Sequence, residues 1–279
     1  MPESALIDGR KIARDIRAKL ADKIKNASIT PGLAVVLVGQ DPASQIYVRL
    51  KRKIATELGM NSVVHMLDEN SDERDVLNII QNLNTDSSIH GILVQFPVPQ
   101  HMNAQTIIQS IDPKKDIDGL HPVNVGALMI EQPGFIPCTP LGAMHLIKSV
   151  RADLAGLNAV VIGRSNLVGQ PMAQLLLQES ATVTVAHSKT KNLKALCQNA
   201  DLLIAAAGSP HLISHQHVKD GAIIIDVGIN RLADGSLCGD VDFDDVTQHR
   251  SVTITPVPGG VGPMTIAMLM QNTVMAATL

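Results

Sequence analysis

Tyr47 and Lys51 stand four residues apart in the segment Ser44-Gln45-Ile46-Tyr47-Val48-Arg49-Leu50-Lys51. A helix would put both on one face. Tyr47 is the only tyrosine in the chain. A flat ring beside an amine suits an aromatic substrate and proton transfer. A lysine takes up a proton near neutral pH only if burial or a neighbouring cation lowers its pKa. Taken alone, the segment also reads as a surface helix with a snorkelling lysine. Gln95 shifts that balance. It follows the apolar run Gly91-Ile92-Leu93-Val94, and ligands of parallel sheets gather at the carboxyl ends of strands. Asp118, in Lys114-Lys115-Asp116-Ile117-Asp118-Gly119, is either part of a solvated turn or a grip for two parallel N–H donors on a planar heterocycle.

A second chemistry is written in Ala159-Val160-Val161-Ile162-Gly163-Arg164-Ser165-Asn166-Leu167-Val168-Gly169-Gln170-Pro171. An apolar strand runs into a glycine turn, and a second glycine opens an amphipathic helix. Unpaired N–H groups and partial positive charge at a helix start hold phosphate well. The spacing departs from G-x-G-x-x-G, so the turn alone leaves an ordinary strand-to-helix connection open. Further on, the strand Thr182–Ala186 leads into His187-Ser188-Lys189-Thr190. An NAD site places an acid roughly 20 residues past its glycines to grip the ribose 2′-hydroxyl. No acid stands here. Arg164, Ser165 and Ser188 would instead bind a 2′-phosphate, which points to NADP.

The glycine-rich stretch Pro256-Val257-Pro258-Gly259-Gly260-Val261-Gly262-Pro263-Met264-Thr265 lets backbone approach a flat ligand, or is a plain tight loop. His211, His215 and His217 lack a patterned acidic or cysteine partner, so a metal is not expected there. Cys138 has no neighbouring histidine and reads as a buried structural cysteine rather than a nucleophile.

The elements that must position these groups alternate. Ile12, Ile16, Leu20 and Ile24 mark a helix, and Leu33–Val38 a strand. Asp41 and Pro42 suit the cap and first position of the Tyr47/Lys51 helix, which ends near Gly59. A strand over Asn61–Leu67 and a helix capped by Ser71 follow, then a strand from Gly91 to Phe96. Residues 111–140 hold five prolines and read as loop, before a helix from Thr139-Pro140 to about Val150. Strands near Val160, Val183, Leu203 and Ile223 build the nucleotide unit, and a last helix spans Met264 to about Ala277. Alternation of this kind predicts an α/β fold with two α/β domains, the C-terminal one a Rossmann-like parallel sheet. The expected boundary sets residues 1–141 apart from an NADP-binding domain at 142–263, with helix 264–279 returning to the first domain.

Of the 279 residues 45% are apolar and only 1% aromatic, so the core must be aliphatic. A net charge of −3 gives no basic field for nucleic acid. No apolar run long enough for a membrane span occurs. Three unpatterned cysteines do not make a disulfide scaffold, and a reducing cytoplasm is the simplest location.

Together the motifs resemble the bifunctional methylenetetrahydrofolate dehydrogenase/cyclohydrolase family. The resemblance is collinear over nearly the whole chain. It runs through Asp41-Pro42-Ala43-Ser44 with Tyr47 and Lys51, Val94-Gln95-Phe96-Pro97, Lys115-Asp116-Ile117-Asp118-Gly119, Phe135 to Pro140, Gly163-Arg164-Ser165, Val168-Gly169, His187 to Thr190, and Pro256 to Thr265. It implies two domains around a cleft, a homodimer, tetrahydrofolate derivatives as substrates and NADP as cofactor. It implies a catalytic set of Lys51, Gln95, Tyr47 and Asp118. Tyr47, Asp118, Pro258, Gly259 and Gly260 would lie against folate, and Gly163, Arg164, Ser165, Val168, Gly169, Ser188 and Ile229 against the cofactor. One departure is Ala127, where many members of the family carry a basic residue after Asn124-Val125-Gly126. Two rivals remain on the residues alone: an NADP oxidoreductase of a small hydroxy or keto acid, and a non-catalytic nucleotide-binding regulator.

Overall fold

The computed structural model describes residues 3–279. The first half of the chain forms β1 (Ala5–Leu6), α1 (Gly9–Lys25), β2 (Gly32–Val38), α2 (Pro42–Glu57), β3 (Asn61–Leu67), α3 (Glu73–Thr85), β4 (Gly91–Val94), α4 (Ala104–Ser110), α5 (Pro122–Met129) and α6 (Cys138–Val150). The second half forms β5 (Asn158–Ile162), α7 (Gly169–Gln178), β6 (Thr182–Ala186), α8 (Leu193–Gln198), β7 (Leu202–Ala205), a 3-10 turn (His215–His217), β8 (Ile223–Asp226), β9 (Asn230–Arg231), β10 (Leu237–Cys238), α9 (Phe243–His249), β11 (Thr253–Ile254) and α10 (Val261–Ala276).

The chain divides into two compact units. One takes the chain up to Arg14 together with Thr139–Thr265; the other takes Asp15–Cys138 and Ile266–Leu279. The division falls inside α1 and inside α10.

The unit built on residues 15–138 centres on a parallel sheet in the order β3-β2-β4. Every residue of β2 is buried, as a central parallel strand with both faces covered requires. Its core is aliphatic: Val36, Val38, Val76, Ile80, Ile92 and Ile107 pack together. Asp41 caps α2 by accepting from the Ser44 N–H at 2.7 Å, and Pro42 fills the first turn, where a missing N–H costs nothing. Gly59, at φ +82°, takes the left-handed conformation that ends the helix.

The other unit carries a parallel sheet in the order β1-β11-β8-β7-β5-β6. Strand order reverses between β5 and its neighbours, giving a crevice at the carboxyl ends of the strands. Val160, Ile162, Leu203, Ala205, Ile224 and Ile254 form the core of this unit.

Several expectations need correction. Residues 111–140 are not simply loop, because α5 starts at Pro122 with the His121 ring accepting from the Val123 N–H at 3.1 Å. Proline at a first helical turn does not break a helix. The cap of α3 is Asp72 rather than Ser71, and the Asp75 carboxylate accepts from the Asp72 N–H at 3.3 Å. Helix α10 starts at Val261, three residues before Met264, with Pro263 inside its first turn. Ala5 and Leu6 pair with Thr253 and Ile254, a contact nearly the whole chain apart that no local pattern signals. Among the described residues no helix is long and apolar enough to cross a membrane.

Candidate active site

Lys51 projects from the third turn of α2, and its Nζ donates to Gln95 Oε1 at 2.9 Å. Gln95 sits one residue past β4. Its main-chain N–H still donates to Val36 O at 2.8 Å, so the residue is held by the end of the sheet. The Gln95 Nε2 donates to Phe96 O at 3.0 Å, which fixes the amide with its carbonyl toward the lysine. Burial pulls the Lys51 ammonium below the usual lysine range, against opposing attraction from Asp118 and Cys138. Tyr47, one turn back on α2, is 37% exposed.

Asp118 is positioned by a strand-like extension of the sheet. Ile92 and Asp116 form a parallel bridge, with the Ile92 N–H donating to Lys115 O at 2.8 Å. A side chain at Gly91 would meet Ile117 at 2.7 Å, so this segment lies directly on β4. Asp116 is buried and structural. It accepts from the His121 N–H and the Asn124 Nδ2, both at 2.8 Å, while burial raises its carboxyl to about 6. Burial likewise raises Asp118, opposed by the charge of Lys51 and a hydrogen bond with Cys138. Lys51 and Asp118 thus affect one another electrostatically, and burial works against the charged form of each.

Two further residues support this cluster: Cys138, which the sequence marked as buried and structural, and Asn272, which sequence reasoning missed. Cys138 is buried and donates to Ile117 O at 3.3 Å. Burial, reinforced by Asp118, raises its thiol well above the usual range, which favours the protonated form that donates this hydrogen bond. Asn272 of α10 donates to Ile117 O at 2.8 Å and to Ile136 O at 3.2 Å. Its sequence signal is weak, one of three consecutive polar residues (Gln271, Asn272 and Thr273) in a mostly apolar helix.

In the other unit, the glycine turn after β5 is held by its own backbone. Gly163 has φ +121°, and a Cβ there would lie 2.1 Å from Ala206 O. A Cβ on Gly169 would lie 2.2 Å from Gly163 O, so only glycine lets α7 start this close to β5. The Ser165 hydroxyl accepts from the Val168 and Gly169 N–H groups at 3.2 and 3.5 Å. The main-chain N–H groups of residues 164–167 have no acceptor among the described residues. Arg164 and Ser188 are exposed, and Arg164 forms no ion pair among the described residues. Open donors, a free guanidinium and no acid on β6 fit the phosphates of a dinucleotide carrying a 2′-phosphate.

The loop at Pro258–Gly260 also lies in this unit. Its close approaches are to the chain itself: a Cβ on Gly9 would meet Gly260 O at 1.9 Å, and one on Gly260 would meet Thr255 at 2.7 Å. Pro258 is exposed beside them. Ile229 is 47% exposed, between the buried Gly228 and the partly buried Asn230.

The histidines of 211–217 do not form one cluster. His211 lies in a left-handed turn, and His217 Nδ1 accepts from the Ser214 N–H at 3.2 Å. An acidic partner, not patterned in the sequence, reaches His215 from α9: Asp245 lies 2.8 Å from its Nδ1, and His249 is adjacent. The rings of His215 and His249 stack 4.4 Å apart at 28°, and His215, Asp245 and His249 each bring one potential ligand atom within 4.8 Å of the others, a grouping different from the His211/His215/His217 set of the sequence.

Three comparisons place the chain among known proteins. Residues 7–118 match the model of the tetrahydrofolate dehydrogenase/cyclohydrolase catalytic domain, and residues 137–279 that of its NAD(P)-binding domain. The bifunctional protein FolD of Campylobacter concisus is 56% identical over 98% of this chain and 97% of its own length. The crystal structure of the bifunctional enzyme FolD, a methylenetetrahydrofolate dehydrogenase/cyclohydrolase from Campylobacter jejuni, superposes with a TM-score of 0.95 at 50% identity, covering 99% of each chain. That of the Trypanosoma brucei N5,N10-methylenetetrahydrofolate dehydrogenase-cyclohydrolase, complexed with NADP and an inhibitor, gives a TM-score of 0.95 at 38% identity over 100% of this chain and 98% of its own. With both family models matched in order across two α/β units that carry the lysine–amide pair and the open glycine turn, the chain belongs to the tetrahydrofolate dehydrogenase/cyclohydrolase family.

Proposed function

We infer that this chain oxidises 5,10-methylenetetrahydrofolate to 5,10-methenyltetrahydrofolate with NADP⁺, and hydrolyses the product to 10-formyltetrahydrofolate. The observation that carries this reading is the Lys51 amine, depressed by burial and held at 2.9 Å by Gln95. A solvated surface lysine would be an ammonium at neutral pH and could accept nothing.

The residues take the following parts. The Asp118 carboxylate binds the paired N–H donors of the pterin, and the Tyr47 ring lies along the aminobenzoyl group. Pro258, Gly259 and Gly260 offer backbone to the folate. Bound NADP⁺ supplies the acceptor for the hydride leaving the methylene carbon. Gly163, Val168 and Gly169 shape the turn that receives its diphosphate, Arg164, Ser165 and Ser188 hold the 2′-phosphate, and Ile229 lies against its far half. In the hydrolytic step Lys51 Nζ takes a proton from water as the oxygen bonds to the methenyl carbon. It returns that proton to the ring nitrogen as the carbon–nitrogen bond breaks, and the second water proton leaves to solvent as the formyl carbonyl forms, carrying away the positive charge of the methenyl cation. The Gln95 carbonyl fixes the direction of the Nζ lone pair. The working form is a homodimer in a reducing cytoplasm, which accords with three free cysteines and is checked by the mass of the species in solution.

The test is spectroscopic. Methylene-folate with NADP⁺ should produce methenyl-folate absorbance that then decays to the formyl product, and NAD⁺ should do so poorly. Reduction of NADP⁺ without a methenyl signal would remove the assigned reaction.

A further inference from the structure

Asp240 belongs to none of the motifs above, yet none of its surface is exposed. Its Oδ2 accepts from the Ala207 N–H at 2.6 Å and the Gly208 N–H at 2.9 Å. Its Oδ1 accepts from the Ser209 N–H and from Asn230 Nδ2, both at 2.9 Å. Three successive main-chain donors thus close on one carboxylate, a concavity that elsewhere binds an external anion. Here the chain fills it. The two loops so joined leave the carboxyl ends of β7 and β8. Loop 206–209 also abuts the glycine turn, since Ala206 O is the atom a Gly163 side chain would strike. On the β8 side the backbone runs so close to the carboxylate that a Cβ on Gly228 would lie 2.2 Å from Asp240 Oδ1. Asp226, at the end of β8, fixes Asp240 in turn: its Oδ1 accepts from the Asp240 N–H at 3.0 Å and its Oδ2 from the Val241 N–H at 2.9 Å.

Sheet order sets what these loops face. A dinucleotide laid across the crevice puts its adenosine ribose at the end of β6 and its diphosphate at the start of α7. With the order β8-β7-β5-β6, its other half runs over the ends of β7 and β8. We propose that Asp240 is a positioning residue for the nicotinamide half of the cofactor, locking loops 206–209 and 227–230 together so that Ile229 is presented at a fixed height. The proposal rests on the dinucleotide reading of this unit.

Cofactor identity makes the test specific. Arg164 and Ser188 serve the 2′-phosphate, which NAD⁺ lacks; the Asp240 loops serve the half that both cofactors share. Asp240→Asn should therefore raise the KM for NADP⁺ and for NAD⁺ by the same factor, about tenfold, as loss of a charge-assisted hydrogen-bond set predicts, with kcat at saturation changed less. Lost folding would instead lower the active fraction, and so kcat, at unchanged KM. Asn230→Ala, which keeps the carboxylate and its three main-chain partners, should raise both KM values about threefold and carries the test if Asp240→Asn does not fold. Calorimetric titration of the enzyme with NADP⁺ alone separates the two readings. Wild-type binding without folate oxidation would remove the assigned reaction but leave the loop lock measurable by the same titration. Unchanged affinity in both variants, a rise confined to NADP⁺, or a wild type that binds neither cofactor would overturn the proposal.

Discussion

The Lys51 cluster and the Gly163–Gly169 turn solve opposite problems. The first consists of side chains whose charged forms burial disfavours: Lys51 is shifted down, Asp118 up, and an amide is held at 2.9 Å. The second is backbone, with glycines packed to within a Cβ of other main-chain atoms and charged side chains left exposed. Proton transfer needs a group whose pKa suits the working pH, so it needs desolvation and fixed partners. Phosphate binding needs donors already aimed, which a turn and a helix start supply without any pKa shift. Damage to the first region should therefore appear in kcat and in pH dependence, and damage to the second in cofactor KM.

The largest effect should come from Lys51→Met. It removes the amine assigned as the base and should lower methenyl hydrolysis by about 10²–10⁴-fold, with a smaller loss in hydride transfer. Assaying both reactions in the purified variant checks this, and unchanged hydrolysis would exclude Lys51 as the base.

The next effect is one of pH. A lysine whose pKa is lowered in the fold is neutral over a wider range, so wild-type hydrolysis should climb as pH rises through that lowered pKa and level off above it. Gln95→Glu places a carboxylate against Nζ, favours the ammonium and moves that limb to higher pH. Hydrolysis near pH 7 should fall about 10–100-fold and recover in alkaline buffer, since a near-contact charge typically moves a pKa by about 1–2 units. A uniform loss at every pH would mean that Gln95 holds geometry only.

Arg164→Ala probes the other region. Loss of a charge-assisted contact to phosphate should raise the KM for NADP⁺ about 10–100-fold and leave that for NAD⁺ within about twofold. Equal changes for both cofactors would remove the 2′-phosphate assignment.

In both regions the sequence announced the backbone elements and not the long-range bonds that tie them in place. The helix of Lys51 and the turn of Gly163 are local signals: a cap at Asp41, a first-turn proline, a left-handed glycine at 59, an apolar strand ending in glycine. The bonds that complete each region are not local. Asn272 reaches Ile117 from 155 residues away, Asp240 reaches Ala207 across 33, and Asp245 reaches His215 across 30. Hydrophobic periodicity carries no information about such pairs, which arise only when the sheet order is fixed. Helix α5 was hidden for a different reason: proline density reads as loop unless the proline falls in a first turn, where its missing N–H is harmless.

The smallest effect offers the finest division of the phosphate subsite. Ser188 is exposed and neutral, and a hydroxyl bond is worth about 0.5–1.5 kcal/mol, so Ser188→Ala should raise the KM for NADP⁺ only about two- to tenfold. Its value lies in combination with Arg164→Ala. If both side chains hold one phosphate, removing Arg164 loosens that phosphate and leaves Ser188 less to lose, so the double variant should fall short of the product of the single effects. If Ser188 caps its own turn and touches no ligand, the effects should multiply and NAD⁺ should suffer as much as NADP⁺. A multiplicative result would give the 2′-phosphate to Arg164 and Ser165 alone. The serine would then belong with the backbone scaffold of the turn, on the same side of the comparison as Gly163 and Gly169.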